Sequence, residues 1–575
     1  MTEAEGAPGD GWWRRTPALA AILLVAALAG VVLLASPPFY QTNDDVALSM
    51  IASGFGFAAW RDPHLFFSHI WLGRALVRAP SIGGVLPYDA HVMGATLAAA
   101  FIATYAVLRL ARTRWHVALI ALAGALTLPL PLAQPQFTVT AALLATAAIL
   151  LAASLTLAPP TRMAGAAAGW LVVGAAALYG YLTRSAAFFL IALVSAPLWL
   201  LVPALRARVV SRRGIVVAMV GLLCLVGLRW ADRRAYEAPA WRPWAESQAL
   251  LGAFIDFENR VRYDASTRHV FDAVGWSETD YRMLVSWYFV HQATYSPAKL
   301  AAIIRSFPPA AALRANLAGV RTVPETALRP ELLPLIVAVA VLWALLRGQG
   351  RWAIAACSAM ATTALVGVAL VGRMPLVRVY YPVFAFLVLA ALLLLVRAGG
   401  ERNAGARATR WMHGVALAAL LACTAALWTS VRATHRARSE RARLARADLE
   451  RLALRPDQLL VVWGAGIPVE DIFSPLARGA PLMGGTDARR MQLFLIGFPA
   501  LAPFAQGRLR ERGIGEVHRA LYERDDVLLA ASAQEVEMLR AFILQHEGVV
   551  VEPRVYLAGR AFTVYQLRRA AGGVS

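Results

Sequence analysis

The chain has 575 residues, of which 59% are hydrophobic, with a mean hydropathy of +0.56 and a net charge of +21. That apolar content excludes an ordinary soluble protein. The positive charge does not point to nucleic acid, because the arginines cluster in short loops between apolar blocks, where they orient helices and meet anionic lipid. Lys299 is the sole lysine, and the Ala- and Arg-rich composition suggests a high-GC bacterial genome.

Apolar blocks of about 20 residues predict a polytopic α-helical membrane protein of about eleven transmembrane helices. The expected spans are 16–36, 90–110, 117–133, 139–158, 164–183, 186–205, 214–230, 331–347, 352–371, 380–396 and 412–430. The first is too long for a signal-peptide core and reads as a retained anchor. Pro129, Pro131 and Pro135 mark the third as a span that could break. Arginine-rich loops alternate with loops poor in charge. That alternation places a short N-terminus, 1–15, in the cytoplasm and the C-terminal domain outside, in the periplasm of an inner membrane.

Three exterior segments follow: the loop 37–89, the loop 231–330, and the tail 431–575 after the membrane domain 16–430. The tail opens with a polar-faced helix over 432–451. Leu459–Trp463 then reads as a buried strand, with further strands at 526–529, 549–555 and 562–566. Ser532 and Glu535 are spaced as a capping box for a helix over 532–545. Together these predict a small α/β domain. Cys224, Cys357 and Cys423 lie in apolar spans without metal-ligand spacing.

Asn43-Asp44-Asp45 stands just beyond the first span. Adjacent carboxylates at a membrane boundary are expensive against lipid, so they call for a role. Asp44 or Asp45 could serve as a general base or hold a cation, or Asn43 or Asp44 could cap the helix beginning at Val46. Downstream, the stretch from Phe66 to Arg74 reads as an interfacial amphipathic helix, with His64 and His69 available for phosphate contact or as a second base. Arg184, Arg373 and Arg378 depart from the positive-inside bias on the outer face. A guanidinium there suits phosphate, and lipid headgroup pairing is the alternative. In the second exterior loop, Trp276, Asp280 and their aromatic neighbours suit a sugar ring, or the packing of a small helical domain. Gly464-Ala465-Gly466 lacks the third glycine and acid of a nucleotide loop.

A first span, an immediate exterior diacid, a juxtamembrane helix, many further spans and an exterior C-terminal domain resemble the GT-C superfamily of integral membrane glycosyltransferases. The segments Thr42–Asp45, Gly275–Tyr281 with Trp287, and Arg378–Pro382 look like those of a group of uncharacterised bacterial GT-C-like proteins. The resemblance implies a GT-C-like helical core and transfer of a sugar from a polyprenyl-phosphate donor to a cell-envelope glycan or lipid acceptor. It implies Asp44 or Asp45 as catalytic, and Asn43, Tyr380 and Tyr381 beside the arginines as substrate-binding. It also implies a divalent cation, Mg or Mn, with Asp45 as its ligand if one is bound. The second acid that relatives offer such a metal is replaced here by Gln134-Pro135-Gln136, leaving Asp256, Glu258, Asp264 or Asp280 to supply it. A transporter or flippase of lipid-linked glycans, or a non-catalytic scaffold of envelope assembly, would fit the same layout. A diacid facing a groove favours the enzyme, and one packed away favours the scaffold.

Overall fold

The computed structural model describes residues 12–257, 261–373, 376–398, 406–476, 481–483, 486–487 and 492–570; Glu258 lies outside them. Among the described residues, nine helices are long and apolar enough to cross a membrane, and a bent pair brings the number to ten. The remaining one of the eleven expected spans, 331–347, corresponds to the shorter apolar helix Leu333–Leu345. Ser185–Leu201 and Pro203–Val209 meet at 110°, where Pro203 lacks the N–H that would carry the helix on. Leu333–Leu345 has 13 residues, a rise of about 20 Å against a hydrocarbon core of about 30 Å. The prolines of the third span do less. Pro129 starts a fresh turn in the first helical position, where a missing N–H is tolerated, and Arg114–Ala133 still spans as one unit.

Phe137–Leu157 and Val377–Ala398 are buried along most of their length and form the middle of the bundle. Small residues let the helices close up. A Cβ on Gly180 would stand 3.0 Å from the Ala141 carbonyl oxygen, the close approach that membrane helices use in place of hydrophobic drive. No residue of Arg212–Tyr236 is fully buried, and most of its apolar side chains are left exposed for lipid.

The last of the long apolar helices, Ala406–Leu452, runs unbroken for 47 residues, about 70 Å, from the bundle into the C-terminal domain. The division expected at 430/431 falls inside it. Near its emergence Arg438 Nη2 donates to the Tyr40 carbonyl and His435 Nε2 meets the Pro37 carbonyl at 3.0 Å. The far end of Pro17–Ala35 therefore lies beside the C-terminal domain, and the length of that helix separates Trp12 from it.

The C-terminal domain holds a five-stranded sheet in the order Leu493–Leu495, Leu459–Val462, Val527–Ala530, Thr563–Arg569, Val551–Ala558. The first three are parallel, with Leu460 opposite both Leu493 and Leu528; the last two are antiparallel. The helix Ala533–Glu547 carries the expected capping box between Ser532 and Glu535. One buried apolar core runs from the first exterior loop through the second into this domain. Indole N–H groups pin the pieces together: Trp463 donates to the Ser286 carbonyl at 2.7 Å and Trp244 to that of Phe498 at 2.9 Å.

Candidate active site

The diacid begins the helix Asn43–Ser53. Thr42 occupies the N-cap position without a side-chain capping bond, so the expectation that Asn43 or Asp44 caps the helix is corrected. All three polar residues sit in the first turn instead, where the helix dipole favours negative charge. Successive residues on a helix point about 100° apart, and the two carboxylates accordingly part company.

Asp45 turns into the protein and is fully buried. Its Oδ1 accepts from the Tyr88 hydroxyl at 2.9 Å and the Phe137 N–H at 3.1 Å, and its Oδ2 from Thr42 Oγ1 at 3.0 Å. Burial pushes its carboxyl up to about 7, against the pull of the Tyr88 bond. Every oxygen is satisfied and neither faces the cavity, so Asp45 is not placed to take a proton from a substrate or to hold an ion in the site.

Asp44 lines a cavity of about 980 Å³ between the membrane helices and the C-terminal domain. Arg378, in the first turn of Val377–Ala398, reaches it with Nη1 3.2 Å from Oδ2. Burial raises the Asp44 carboxyl above the ordinary range, and the Arg378 charge opposes that rise. Arg184 stands at the break between Met163–Thr183 and Ser185–Leu201. Its guanidinium lies 4.9 Å over the Phe67 ring and donates to the Phe67 carbonyl at 3.3 Å. Burial pulls it down to about 10, with Arg373 and Arg378 adding to the pull. Arg373 Nη2 lies 3.8 Å from Asp256 Oδ1. Asn43 and Tyr380 also line the cavity, and the Tyr380 hydroxyl is buried without a hydrogen-bond partner.

Other expected site residues lie elsewhere. His64 pairs with Asp62 at 2.6 Å and stacks on Trp241. His69 caps the helix Ile70–Arg78, with Nε2 2.8 Å from the Leu228 carbonyl. Tyr381 is buried and donates to the Leu126 carbonyl at 3.2 Å. Trp276 is buried, donating to the Thr294 carbonyl at 3.0 Å. Asp280 is the buried third residue of the Ser277 capping box and meets His546 at 2.6 Å. These contacts are those of structural residues, and none of the five lines the cavity.

The C-terminal domain supplies the rest of the wall. Gly464 and Ala465 follow Leu459–Val462, the middle of the three parallel strands, and Gly497 follows its neighbour Leu493–Leu495. The chain turns to one side of that middle strand and then to the other, and the crevice beyond such a switch point is where open α/β sheets bind ligands. Arg441 and Arg560 join the wall; neither carries a sequence signal, each being one arginine among many. Trp287 also lines it, held at φ 69°, a conformation costly for a bulky residue. Five arginines (184, 373, 378, 441, 560) face three carboxylates (Asp44, Asp256, Glu470). That balance, with Asp44 already paired to Arg378 and Asp256 to Arg373, suits an anion more than a cation. The expected Mg or Mn does not fit this donor set.

No protein-family model matches the chain, and no curated protein matches it. Among solved structures, the crystal structure of ArnT from Cupriavidus metallidurans in the apo state is similar over 96% of this chain and 98% of that one. The identity is 13% and the TM-score 0.36, a likeness too loose to say what this chain does.

Proposed function

We propose that the protein is a GT-C-like membrane glycosyltransferase of the bacterial inner membrane. It moves a sugar from a polyprenyl-phosphate donor to a glycan or lipid acceptor on the exterior face, with its N-terminus cytoplasmic. The observation that carries this reading is Asp44 in the wall of a large cavity at the membrane boundary, held at 3.2 Å by Arg378 with Arg184 and Arg373 nearby.

The chemistry asks for two things. A hydroxyl acceptor must lose its proton as its oxygen attacks the anomeric carbon, and the phosphate must leave with the electrons of the broken C–O bond. A carboxylate supplies the first and fixed positive charge the second. In the resting site Arg378 neutralises Asp44. A donor phosphate competes for that guanidinium, leaving Asp44 less neutralised and more basic as the substrate arrives. Arg184 and Arg373 meet the charge growing on the leaving group, in a site drier than bulk water. A single displacement with one base inverts the anomeric centre. The arginines carry the part that a divalent ion would otherwise play.

The test is purified protein in lipid, supplied with a panel of radiolabelled polyprenyl-phosphate sugars. Donor-dependent transfer that needs Asp44 supports the reading. Absence of donor binding across the panel would point instead to transport or scaffolding.

A further inference from the structure

A second cluster lies outside the cavity, where the loop 231–330 meets the C-terminal domain. His291 comes from that loop, His518 from the helix Val517–Glu523 and Glu547 from the end of Ala533–Glu547. One donor atom from each lies within 4.8 Å of the others. His518 Nε2 is 2.8 Å from Glu547 Oε1, and His291 Nε2 is 3.8 Å from the same oxygen. His518 keeps only 1% of its side chain exposed. Its Nε2 and the facing Oε1 are both buried and meet each other as a close pair outside aligned hydrogen-bond geometry, so what brings the three groups together is a shared focus of donor atoms.

The other faces of the three groups are already held. His518 Nδ1 meets the Tyr288 hydroxyl at 2.7 Å and His291 Nδ1 meets Thr294 Oγ1 at 2.9 Å. The Tyr522 hydroxyl donates to Glu547 Oε2. Oxygen partners on the far ring nitrogens, together with a hydrogen-bonded carboxylate, are the outer shell that orients metal ligands. Ligand atoms about 2.1 Å from a tetrahedral ion stand about 3.4 Å apart, and the two separations from Oε1 fall on either side of that.

We propose that His291, His518 and Glu547 bind one divalent ion of the zinc type, clamping the second exterior loop to the C-terminal domain. Two imidazoles and a carboxylate select a borderline transition ion over Mg or Ca, which prefer all-oxygen shells. The partial exposure of His291 (14%) and Glu547 (12%) leaves a fourth position for solvent. None of the three lines the cavity, so the ion takes no direct part in the proposed transfer and acts by tying the loop to the domain. Its consequence for the site runs through the chain: His291 lies four residues beyond Trp287, whose left-handed backbone the clamp would hold in the cavity wall.

Tag-free, full-length protein in detergent is stripped with a chelator, and Zn²⁺ alone is returned. About one zinc per chain should rebind, raising the thermal unfolding midpoint, since an ion that binds only the folded form stabilises it. His291→Gln and Glu547→Gln should each lose the bound zinc and the shift. Co²⁺ added to stripped wild-type protein should give the visible absorption of a low-symmetry nitrogen–oxygen site, a reading independent of how the variants fold. No stoichiometric zinc in the wild type, no cobalt spectrum, or zinc retained equally in both variants would overturn the proposal.

Discussion

Asp44 and Arg378 are 334 positions apart in the chain and 3.2 Å apart in space. The ion pair joins the first turn after the first span to the start of the helix Val377–Ala398, with 19% of the Asp44 side chain and 25% of the Arg378 side chain exposed. Removing either partner leaves the other partly buried and uncompensated, so the two substitutions should differ in kind and not only in degree. Asp44→Asn keeps the shape and removes the base. Turnover with a working donor should fall about 10²- to 10⁴-fold while donor binding is kept or tightened, since Arg378 is then free for phosphate. Steady-state rates beside donor-binding isotherms read both; unchanged turnover would remove Asp44 from the mechanism.

Arg378→Lys keeps the charge and loses the planar fork. Donor affinity should drop about tenfold, a difference of about 1.4 kcal/mol, with a smaller loss in the rate of the bound complex. Arg378→Gln goes further, because it also removes the charge that offsets the burial of Asp44. A base works only when ionised, so the wild-type rate should fall as pH drops through the raised Asp44 value. Without Arg378 that acid limb should move to higher pH. A pH–rate profile of kcat/KM for both proteins checks the direction; a limb that stays in place or moves to lower pH would separate Arg378 from the base.

Asp45 answers a different experiment. Its carboxyl lies near pH 7 when folded and near 3.8 when exposed by unfolding. Between those values the folded state holds a proton that the unfolded state has lost. On this account stability declines as pH rises from about 4 to about 7. Asp45→Asn should flatten that slope, while Asp45→Ala, which orphans the Tyr88 and Phe137 donors, should cost about 1–3 kcal/mol. Thermal unfolding at pH 5 and pH 8 separates the cases. Equal slopes in wild type and Asp45→Asn would place the titration elsewhere.

Features that follow from local chemistry are legible in the amino-acid order alone. Span positions follow from apolar length, the capping boxes at Ser277 and Ser532 from spacing, and the strand at Leu459 from an unbroken apolar run. Leu493–Leu495 is not legible in this way, because three residues carry no period and only the neighbouring Leu459–Val462 makes them a strand. The site divides similarly. The Asn43–Asp45 triplet stands out because charge at a membrane edge is costly, and Arg184, Arg373 and Arg378 because they break the expected charge bias. Which of two adjacent acids faces the cavity depends on the helical phase set by Thr42 and on the donors Tyr88 and Phe137, both distant in the chain. His64 and His69 stand out by residue type alone, and their partners Trp241 and Leu228 belong to a segment more than a hundred and fifty residues away.

The cavity has walls from two domains, so its shape depends on how the C-terminal domain docks. Gly507 is a contact where that docking is tightest: a Cβ there would stand 2.3 Å from the Trp60 ring and 3.4 Å from the Ala59 Cβ. The same surface is held by Arg508 Nη2 donating to the Ala58 carbonyl at 2.9 Å and by the Ala59 N–H donating to the Phe504 carbonyl at 3.2 Å. Gly507→Leu forces Trp60 or the helix Pro503–Arg510 to move, an overpacking cost of about 1–3 kcal/mol. The sheet itself is not touched, so the C-terminal domain should keep its fold while its seat on the loop 37–89 loosens. Proteolysis of intact protein should then cut more readily around residues 54–64, and donor turnover should fall although Asp44 and all five cavity arginines are present. Wild-type turnover in Gly507→Leu, with the loop newly cleavable, would mean that the exterior domain closes the cavity without contributing to the reaction.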